Sequence, residues 1–153
     1  MWQAAGVVDL DIGGRAERGE VWWAVVDERC AVVVLSGEDA AEIRAMQVVA
    51  LASVAEKRGF RLLSAKETSE LRAIGTVLPA DPSVRAVGVE IEVGGKEGLP
   101  NPGAVRIALP HVGYIPCTWL VTLSRDNLVE RVGALSSEKL GHLDDALNLA
   151  GLE

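Results

Sequence analysis

EVWWAVVDERCAVVVL, residues 20–35, decides the fold. Two runs of β-branched and aromatic side chains, residues 20–26 and 31–35, flank the short polar segment Asp27-Glu28-Arg29. Such runs fit the pleated, half-buried surface of a sheet, and a short polar link between them is typical of a hairpin. The stretch therefore predicts an antiparallel β-hairpin.

More strands are predicted on the C-terminal side of this hairpin. Residues 84–93 alternate, with apolar side chains on one face and Glu90 and Glu92 on the other, as in an amphipathic strand. Residues 36–43 are expected to form one helical turn. The other apolar runs have the length of strands: residues 46–52, 60–63, 104–109 and 114–123.

Two segments favour helix. Ser136 is a suitable N-cap, an apolar stripe follows it at helical spacing, and Gly151 ends the pattern. Residues 64–82 open with Ser-Ala-Lys-Glu, which resembles a helix start, and close on two prolines. We expect residues 64–82 to be a partly helical insertion over the domain, and the Gly-rich, acidic residues 1–17 to form an N-terminal arm.

Together these patterns predict a single domain over residues 1–153. Its class is mainly β (α+β): a small antiparallel sheet or barrel with a C-terminal helix. At 153 residues and 49% hydrophobic content the chain can bury a core, which excludes disorder as its main state. Its apolar runs are far shorter than the roughly 20 residues of a membrane span, and no signal-peptide pattern opens the chain, so we expect a cytoplasmic protein.

The charge argues against a protein that coats nucleic acid. Lys and Arg number 15 against 22 Asp and Glu, a net charge of -7, whereas nonspecific phosphate binding relies on cations. Residues 1–56 hold four cations and ten acids, residues 57–123 eight and six, and residues 124–153 three and six. Only the middle of the chain is basic.

Nucleophilic and metal chemistry find little support. Cys30 and Cys117 are expected to be reduced thiols, and Cys30, with no neighbouring His, packed rather than reactive. His111 is a candidate general base, but a lone His is more often a surface or capping residue. His142 and Asp145 stand one helical turn apart, as metal ligands would, yet a solvated helix face explains them better. We expect no cofactor.

The cationic residues give a stronger indication. Lys57, Arg58 and Arg61 surround the aromatic Phe60, a combination that suits a phosphate backbone with a stacked base and, equally, a solvated turn. Arg29 is more informative, because a forked, permanently charged guanidinium beside a tight hairpin is suited to a phosphate that gains charge during reaction.

Five segments, in this order and spacing, resemble the MazF/PemK family of type II toxin–antitoxin ribonucleases. The resemblance rests on the ordered set, which spans most of the chain, and not on any one motif. The segments are RGEVWWA (residues 18–24), ERCAVVVLS (28–36), VVALAS (48–53), GVEIEV with EGLPNPGAV (88–105) and LVERVGALSSEKLGHLDDAL (128–147).

The resemblance implies an SH3-like barrel of the CcdB/PemK type with a C-terminal helix. It further implies a homodimer, a MazE-like antitoxin partner, and metal-independent, sequence-specific cleavage of single-stranded RNA (mRNA). The ribose 2'-OH attacks the phosphate to give a 2',3'-cyclic phosphate and a 5'-OH end. In the family an Arg at the start of the second strand stabilises the phosphorane or protonates the leaving oxygen. A Thr or Ser at the end of the third strand helps to hold the phosphate.

Those two family positions fall on Arg29 and Ser53, which the resemblance makes the candidate catalytic residues. Around them, Trp23 or Trp119 is expected to stack on a base or to form the dimer face. The cations expected to steer RNA are Lys57, Arg58 and Arg61.

A second hypothesis keeps the same fold without catalysis. The chain would then be a binding module that acts on a protein target, as the CcdB toxins do, or one that only titrates an antitoxin. Cleavage of RNA in the absence of metal separates the two hypotheses.

Overall fold

The computed structural model describes residues 16–36, 42–51, 60–74, 86–109 and 120–152. One-turn 3-10 helices occur at Gly95–Glu97 and Arg125–Asn127. The strands and α-helices of these ranges are β1 (Glu20–Val25), β2 (Arg29–Val34), β3 (Ile43–Gln47), β4 (Phe60–Leu62), α1 (Ala65–Ile74), β5 (Ala86–Val93), β6 (Gly103–Leu109), β7 (Leu120–Leu123), β8 (Leu128–Ala134) and α2 (Ser137–Leu149).

The chain divides into two compact units. The first consists of Met1–Val48 with Leu120–Ala134, and the second of Val49–Trp119 with Leu135–Glu153. The single domain over residues 1–153 stays a prediction. The expected arm at residues 1–17 and the helical turn at residues 36–43 lie largely outside the described residues, as does most of the strand expected at 114–123.

The first unit is an antiparallel sheet with the strand order β7-β3-β2-β1-β8. At its centre β1 and β2 pair from Val21↔Val33 to Val25↔Arg29, so the predicted hairpin is confirmed. Alternation along these strands directs Trp22 and Ala24 into the core. The other buried members of this core are Ala16, Val32, Val34, Ile43, Ala45, Leu123 and Leu128.

A buried carboxylate fixes the edge of this core. Glu20 Oε1 accepts hydrogen bonds from the Glu17 backbone N–H (2.8 Å) and Trp22 Nε1 (3.1 Å), and Oε2 accepts from Arg131 Nε at 2.7 Å. Burial alone would raise the pKa of Glu20, but the hydrogen bonds from Glu17, Trp22 and Arg131 outweigh it and lower the pKa. Glu20 therefore ties β1 to β8 as an ionised group.

The second unit contains the sheet β4-β5-β6. On β5 the predicted alternation is confirmed, because Val87, Val89, Ile91 and Val93 are all buried. Strand β4 pairs with β5 in parallel, which the expectation of an antiparallel sheet did not include. Parallel neighbours need a long crossover, and α1 lies in the chain between β4 and β5. The helix of the 64–82 segment is therefore part of a β-α-β connection.

Local capping explains where both helices start and where α2 ends. Ser64 and Glu67 exchange side-chain-to-backbone hydrogen bonds of 3.0 and 3.1 Å at the start of α1. The Ser136 hydroxyl caps α2 by accepting from the Lys139 N–H. Gly151 adopts φ 75°, and its N–H donates to the Asn148 carbonyl, which closes α2 as predicted.

The fold is mainly β with two α-helices, as predicted, and the strands of the described ranges form two sheets that do not close into a barrel. The third strand covers residues 43–47 and not the predicted 46–52. Val48 still donates to the Ala31 carbonyl of β2, and the sheet ends there because the Val49 backbone pairs with Ala104 instead, through two hydrogen bonds of 2.8 Å. In the described ranges no helix combines the length and hydrophobicity needed to cross a membrane.

Candidate functional site

Arg29 stands at the tip of the β1–β2 hairpin. It forms the last pair of the ladder, opposite Val25, and the loop between them is only three residues long. Its guanidinium carbon lies 4.8 Å from the centre of the Trp23 ring, which is cation–π distance. More than half of the Arg29 side chain (54%) is exposed. The hairpin thus holds a charged guanidinium on an aromatic surface that faces solvent.

A carboxylate completes this cluster. Glu130 of β8 lies opposite Trp23 in the register, and its Oε1 is 3.6 Å from Arg29 Nη2. The side chain of Glu130 is 64% exposed, so the ion pair is solvated and contributes little to stability. Sequence reasoning missed Glu130, because only the β1–β8 pairing brings it next to Arg29. We call Arg29, Trp23 and Glu130 the hairpin cluster.

Cys30 follows Arg29 and packs against the core of the first unit. Its thiol is half-buried. Burial raises the pKa of Cys30, and the charge of Glu28 raises it further. The expectation of a packed cysteine is confirmed, and the raised pKa disfavours the thiolate form.

Three exposed valines, which we call the apolar strip, lie on the same chain segments as the hairpin cluster. Val25, Val26 and Val129 are each 42 to 51% exposed. Asn127 Nδ2 donates to the Val25 carbonyl at 3.0 Å, which joins the Arg125–Asn127 turn to the hairpin tip. The acidic residues in these same segments are Asp27, Glu28, Asp126 and Glu130.

Of the cations predicted to steer RNA, Arg61 is the one that the structure describes. It is exposed on β4, and its Nη2 lies 2.9 Å from Glu67 Oε2. The hydrogen bonds to the Ser64 backbone and to Arg61 lower the pKa of Glu67, so the pair is ionised. Four predicted site residues lie outside the described ranges: Ser53, Lys57, Arg58 and Trp119.

The segment that leads toward Ser53 is held by an arginine that sequence reasoning did not single out. Arg106 Nη2 donates to the Ala50 carbonyl at 2.6 Å, and its Nε donates to Glu90 Oε2 at 3.0 Å. Glu90 and Arg106 are direct cross-strand partners on β5 and β6. Glu90 therefore anchors Arg106, and it is more than a polar residue on the solvent side of a strand.

The structure corrects the interpretation of His142 and Asp145 as a solvated helix face. His142 Nε2 and Thr68 Oγ1 are 3.2 Å apart, and Arg72 Nη1 donates to Asp145 Oδ1 at 2.8 Å. Burial lowers the pKa of His142, although Asp145 and the Leu63 backbone act in the opposite direction. The two residues hold α1 against α2. Among the described residues, no group of three or more His, Cys, Asp or Glu side chains could hold a metal ion.

The fold and the site define an α+β protein with an exposed arginine–tryptophan–carboxylate cluster on an antiparallel sheet. No protein-family model matches the chain, and no curated protein matches it. Among solved structures the chain is similar to the Mycobacterium tuberculosis toxin MazF-mt6, at 13% sequence identity and a TM-score of 0.48, with 88% of this chain and 98% of that chain covered. A likeness of this size leaves the function to be argued from the chain's own residues.

Proposed function

We propose that the chain is the toxin of a type II toxin–antitoxin system: a metal-independent, sequence-specific endoribonuclease that cleaves single-stranded RNA. The 2'-OH attacks the adjacent phosphorus, and the products carry a 2',3'-cyclic phosphate and a 5'-OH. The ordered motif set supports the proposal. The observation that carries it is the exposed Arg29 guanidinium held 4.8 Å from the Trp23 ring centre.

The role that we propose for each residue follows from its chemistry. Arg29 places a permanent positive charge where the phosphorane gains negative charge, and Ser53 supplies a hydroxyl donor to the phosphate. Trp23 and Trp119 stack on bases or form the face of a homodimer. Lys57, Arg58 and Arg61 attract the RNA backbone. The same proposal includes a MazE-like antitoxin as partner and a cytoplasmic location.

The test is cleavage of a mixed-sequence RNA by purified protein in EDTA. Wild type is expected to cut and to leave cyclic-phosphate ends. Arg29→Ala is expected to cut at least ~10²-fold more slowly, the effect of removing one electrostatic donor.

Arg125→Ala is the matched control. Arg125 also lies over a tryptophan ring of the first unit, 5.1 Å from the centre of Trp22, and the proposal gives it no part in the reaction. Cleavage that survives Arg29→Ala at the wild-type rate would refute the assignment of Arg29.

A second function, a noncatalytic module that binds a protein target, is favoured by the apolar strip. Val25, Val26 and Val129 are exposed together, and the acidic residues of the same segments complement a partner segment that carries apolar and basic side chains. Growth arrest on expression separates the two functions. Val26→Asp abolishes arrest and Arg29→Ala preserves it if the chain binds a protein; the nuclease gives the opposite pattern.

A further inference from the structure

We propose that Glu130 is the general base of the cleavage reaction, the group that takes the proton from the attacking 2'-OH. The inference rests on the proposed function and adds a residue that neither the motif set nor the comparisons assign. It starts from the hairpin cluster, where Glu130 Oε1 lies 3.6 Å from Arg29 Nη2.

The carboxylate of Glu130 lies beside the guanidinium that would bind the phosphate. A phosphodiester bound to the Arg29 guanidinium has its ribose 2'-oxygen next to the same phosphorus, and so within reach of the neighbouring carboxylate. Both side chains are more than half exposed, so an RNA strand can approach them without displacing core residues. Trp23, the direct cross-strand partner of Glu130, holds the Arg29 guanidinium over its ring, so the carboxylate and the guanidinium share one face of the sheet.

The backbone of β8 directs Glu130 toward Arg29. Ala24 pairs with Leu128 and Trp23 with Glu130, so Val129 is one residue in excess on β8 and forms a β-bulge. A regular ladder would set Val129, not Glu130, opposite Trp23. Bulges re-aim side chains in this way and are frequent next to active sites. A second register shift, between Val21 and Trp22, follows on the other side of Glu130.

The reaction needs a base, and the step balances with Glu130 in that role. The carboxylate accepts the proton of the 2'-OH as the O2' lone pair forms the O2'–P bond. The P–O5' bond then breaks, and the leaving oxygen keeps the electron pair and takes a proton from water. Glu130 returns its proton to solvent, so the net change is transfer of one proton from O2' to O5'. Arg29 stabilises the phosphorane throughout.

Asp27 and Glu28 are nearer to Arg29 in sequence but less well placed. They lie in the exposed loop between β1 and β2, and the ion pair that the structure records for Arg29 is with Glu130. Glu28 acts on Cys30, whose pKa it raises. Glu130 is the carboxylate that a strand, and not a loop, holds in place.

The experiment compares wild type, Glu130→Gln and Glu130→Asp in single-turnover cleavage of a short RNA, from about pH 4 to 9 in EDTA. Glu130→Gln is expected to lose at least ~10²-fold in rate at neutral pH, the usual contribution of a general base. The wild-type rate is expected to fall as the pH is lowered, and the Glu130→Gln rate is expected not to show this fall. Glu130→Asp, which keeps a carboxylate, is expected to be slower than wild type but to retain that acidic fall.

Two controls sharpen the result. Glu42→Gln removes one exposed negative charge from the same unit and is expected to match wild type. An RNA with sulfur in place of the 5'-bridging oxygen has a leaving group that needs no proton, so it rescues the loss of a general acid. The Glu130→Gln defect is expected to persist on this substrate, because a missing base still slows the attack.

Several outcomes would overturn the role of Glu130 while the nuclease assignment stands. They are a Glu130→Gln rate equal to or above wild type, a slower rate with the acidic fall retained, or rescue by the 5'-thio substrate. Absence of RNA cleavage by wild-type protein would instead remove the proposed function itself. Because Glu130 is exposed, Glu130→Gln is expected to unfold at the wild-type urea concentration, which excludes misfolding as the cause of a lost rate.

Discussion

Replacing Lys139 with Met tests how the second unit holds its C-terminal helix. Lys139 Nζ donates to Glu97 Oε2 and to the Glu92 carbonyl, both at 2.8 Å, and Glu97 Oε1 accepts from the Gly94 N–H at 2.7 Å. Only 4% of the Glu97 side chain is exposed. Burial acts to raise the pKa of Glu97, but the hydrogen bonds from Lys139 and Gly94 prevail and lower it.

Lys139→Met is expected to destabilise the fold because it leaves the Glu97 carboxylate without its cation. Removing one partner of a buried ion pair costs about 3–5 kcal/mol, because the remaining charge stays desolvated. The Lys139 side chain keeps 27% of its surface in water, so we expect the lower end, about 3 kcal/mol in the free energy of unfolding. For a chain of this size that loss lowers Tm by about 6–12 °C. Met keeps the apolar stem of the lysine in place, so little packing is lost.

The assay is urea unfolding at pH 7, followed by far-UV circular dichroism, which detects α1 and α2. Lys66→Met is the matched control, since Lys66 is exposed on α1, and it should change stability by less than about 0.5 kcal/mol. A cycle with Glu97→Gln should give a coupling of at least about 1 kcal/mol between the two side chains.

The pH dependence gives an independent check. A carboxylate with a lowered folded-state pKa stabilises the fold above its unfolded value, near 4.5, and this contribution is lost as pH falls through the folded-state pKa. Without Lys139 the buried carboxylate gains a proton at higher pH, so the gap between wild type and Lys139→Met should narrow on acidification. A Lys139→Met variant as stable as Lys66→Met at pH 7 would refute the desolvation argument.

Two further predictions follow from the other buried titratable groups. Glu20→Gln places an amide against Arg131 and should lower the free energy of unfolding by about 1.5–3 kcal/mol, the value of a hydrogen bond to a charged group. Tryptophan fluorescence in urea measures this loss. Because the pKa of Glu20 is lowered in the fold, the advantage of wild type should fade as pH drops below about 4.5. Burial lowers the pKa of His142 in the fold, so as pH falls through the unfolded pKa near 6.5 the unfolded chain binds the proton more readily than the folded one. Wild type should therefore lose stability over this range, and His142→Gln should lose less. An equal loss in both proteins would contradict this account of His142.

The parts of the fold that the sequence predicts are those with local causes. The hairpin follows from two β-forming runs and a three-residue loop, and the burial of alternate β5 residues follows from period two. The start of α1 needs only Ser64 and Glu67, which bond to each other's backbone, and the end of α2 needs only a glycine at position 151. Each of these signals lies within a few residues of the element that it determines.

The errors and omissions have non-local causes. Strand β8 was not predicted, and its pairing with β1 is what carries Glu130 to Arg29. Whether Val49 continues β3 or pairs with Ala104 depends on β6, more than fifty residues further along the chain. His142 has the spacing of an exposed helical residue, and only the packing of α1 on α2 makes Thr68 its partner. No window of sequence contains these contacts.

The net charge of -7 leaves more carboxylates than cations, and many of the cations are already paired with a carboxylate. Six Lys or Arg side chains in the described ranges each pair with a carboxylate: Arg29, Arg61, Arg72, Arg106, Arg131 and Lys139. A phosphate that binds Arg29 or Arg61 therefore competes with Glu130 or Glu67 for the guanidinium, and because both ion pairs are solvated the exchange costs little. RNA bound at the hairpin cluster, as proposed, would depend on the one guanidinium that Trp23 holds in place. Under the proposed nuclease function, the scissile phosphate of a short bound strand would take the place of Glu130 at Arg29, and that exchange would free Glu130 to act on the 2'-OH.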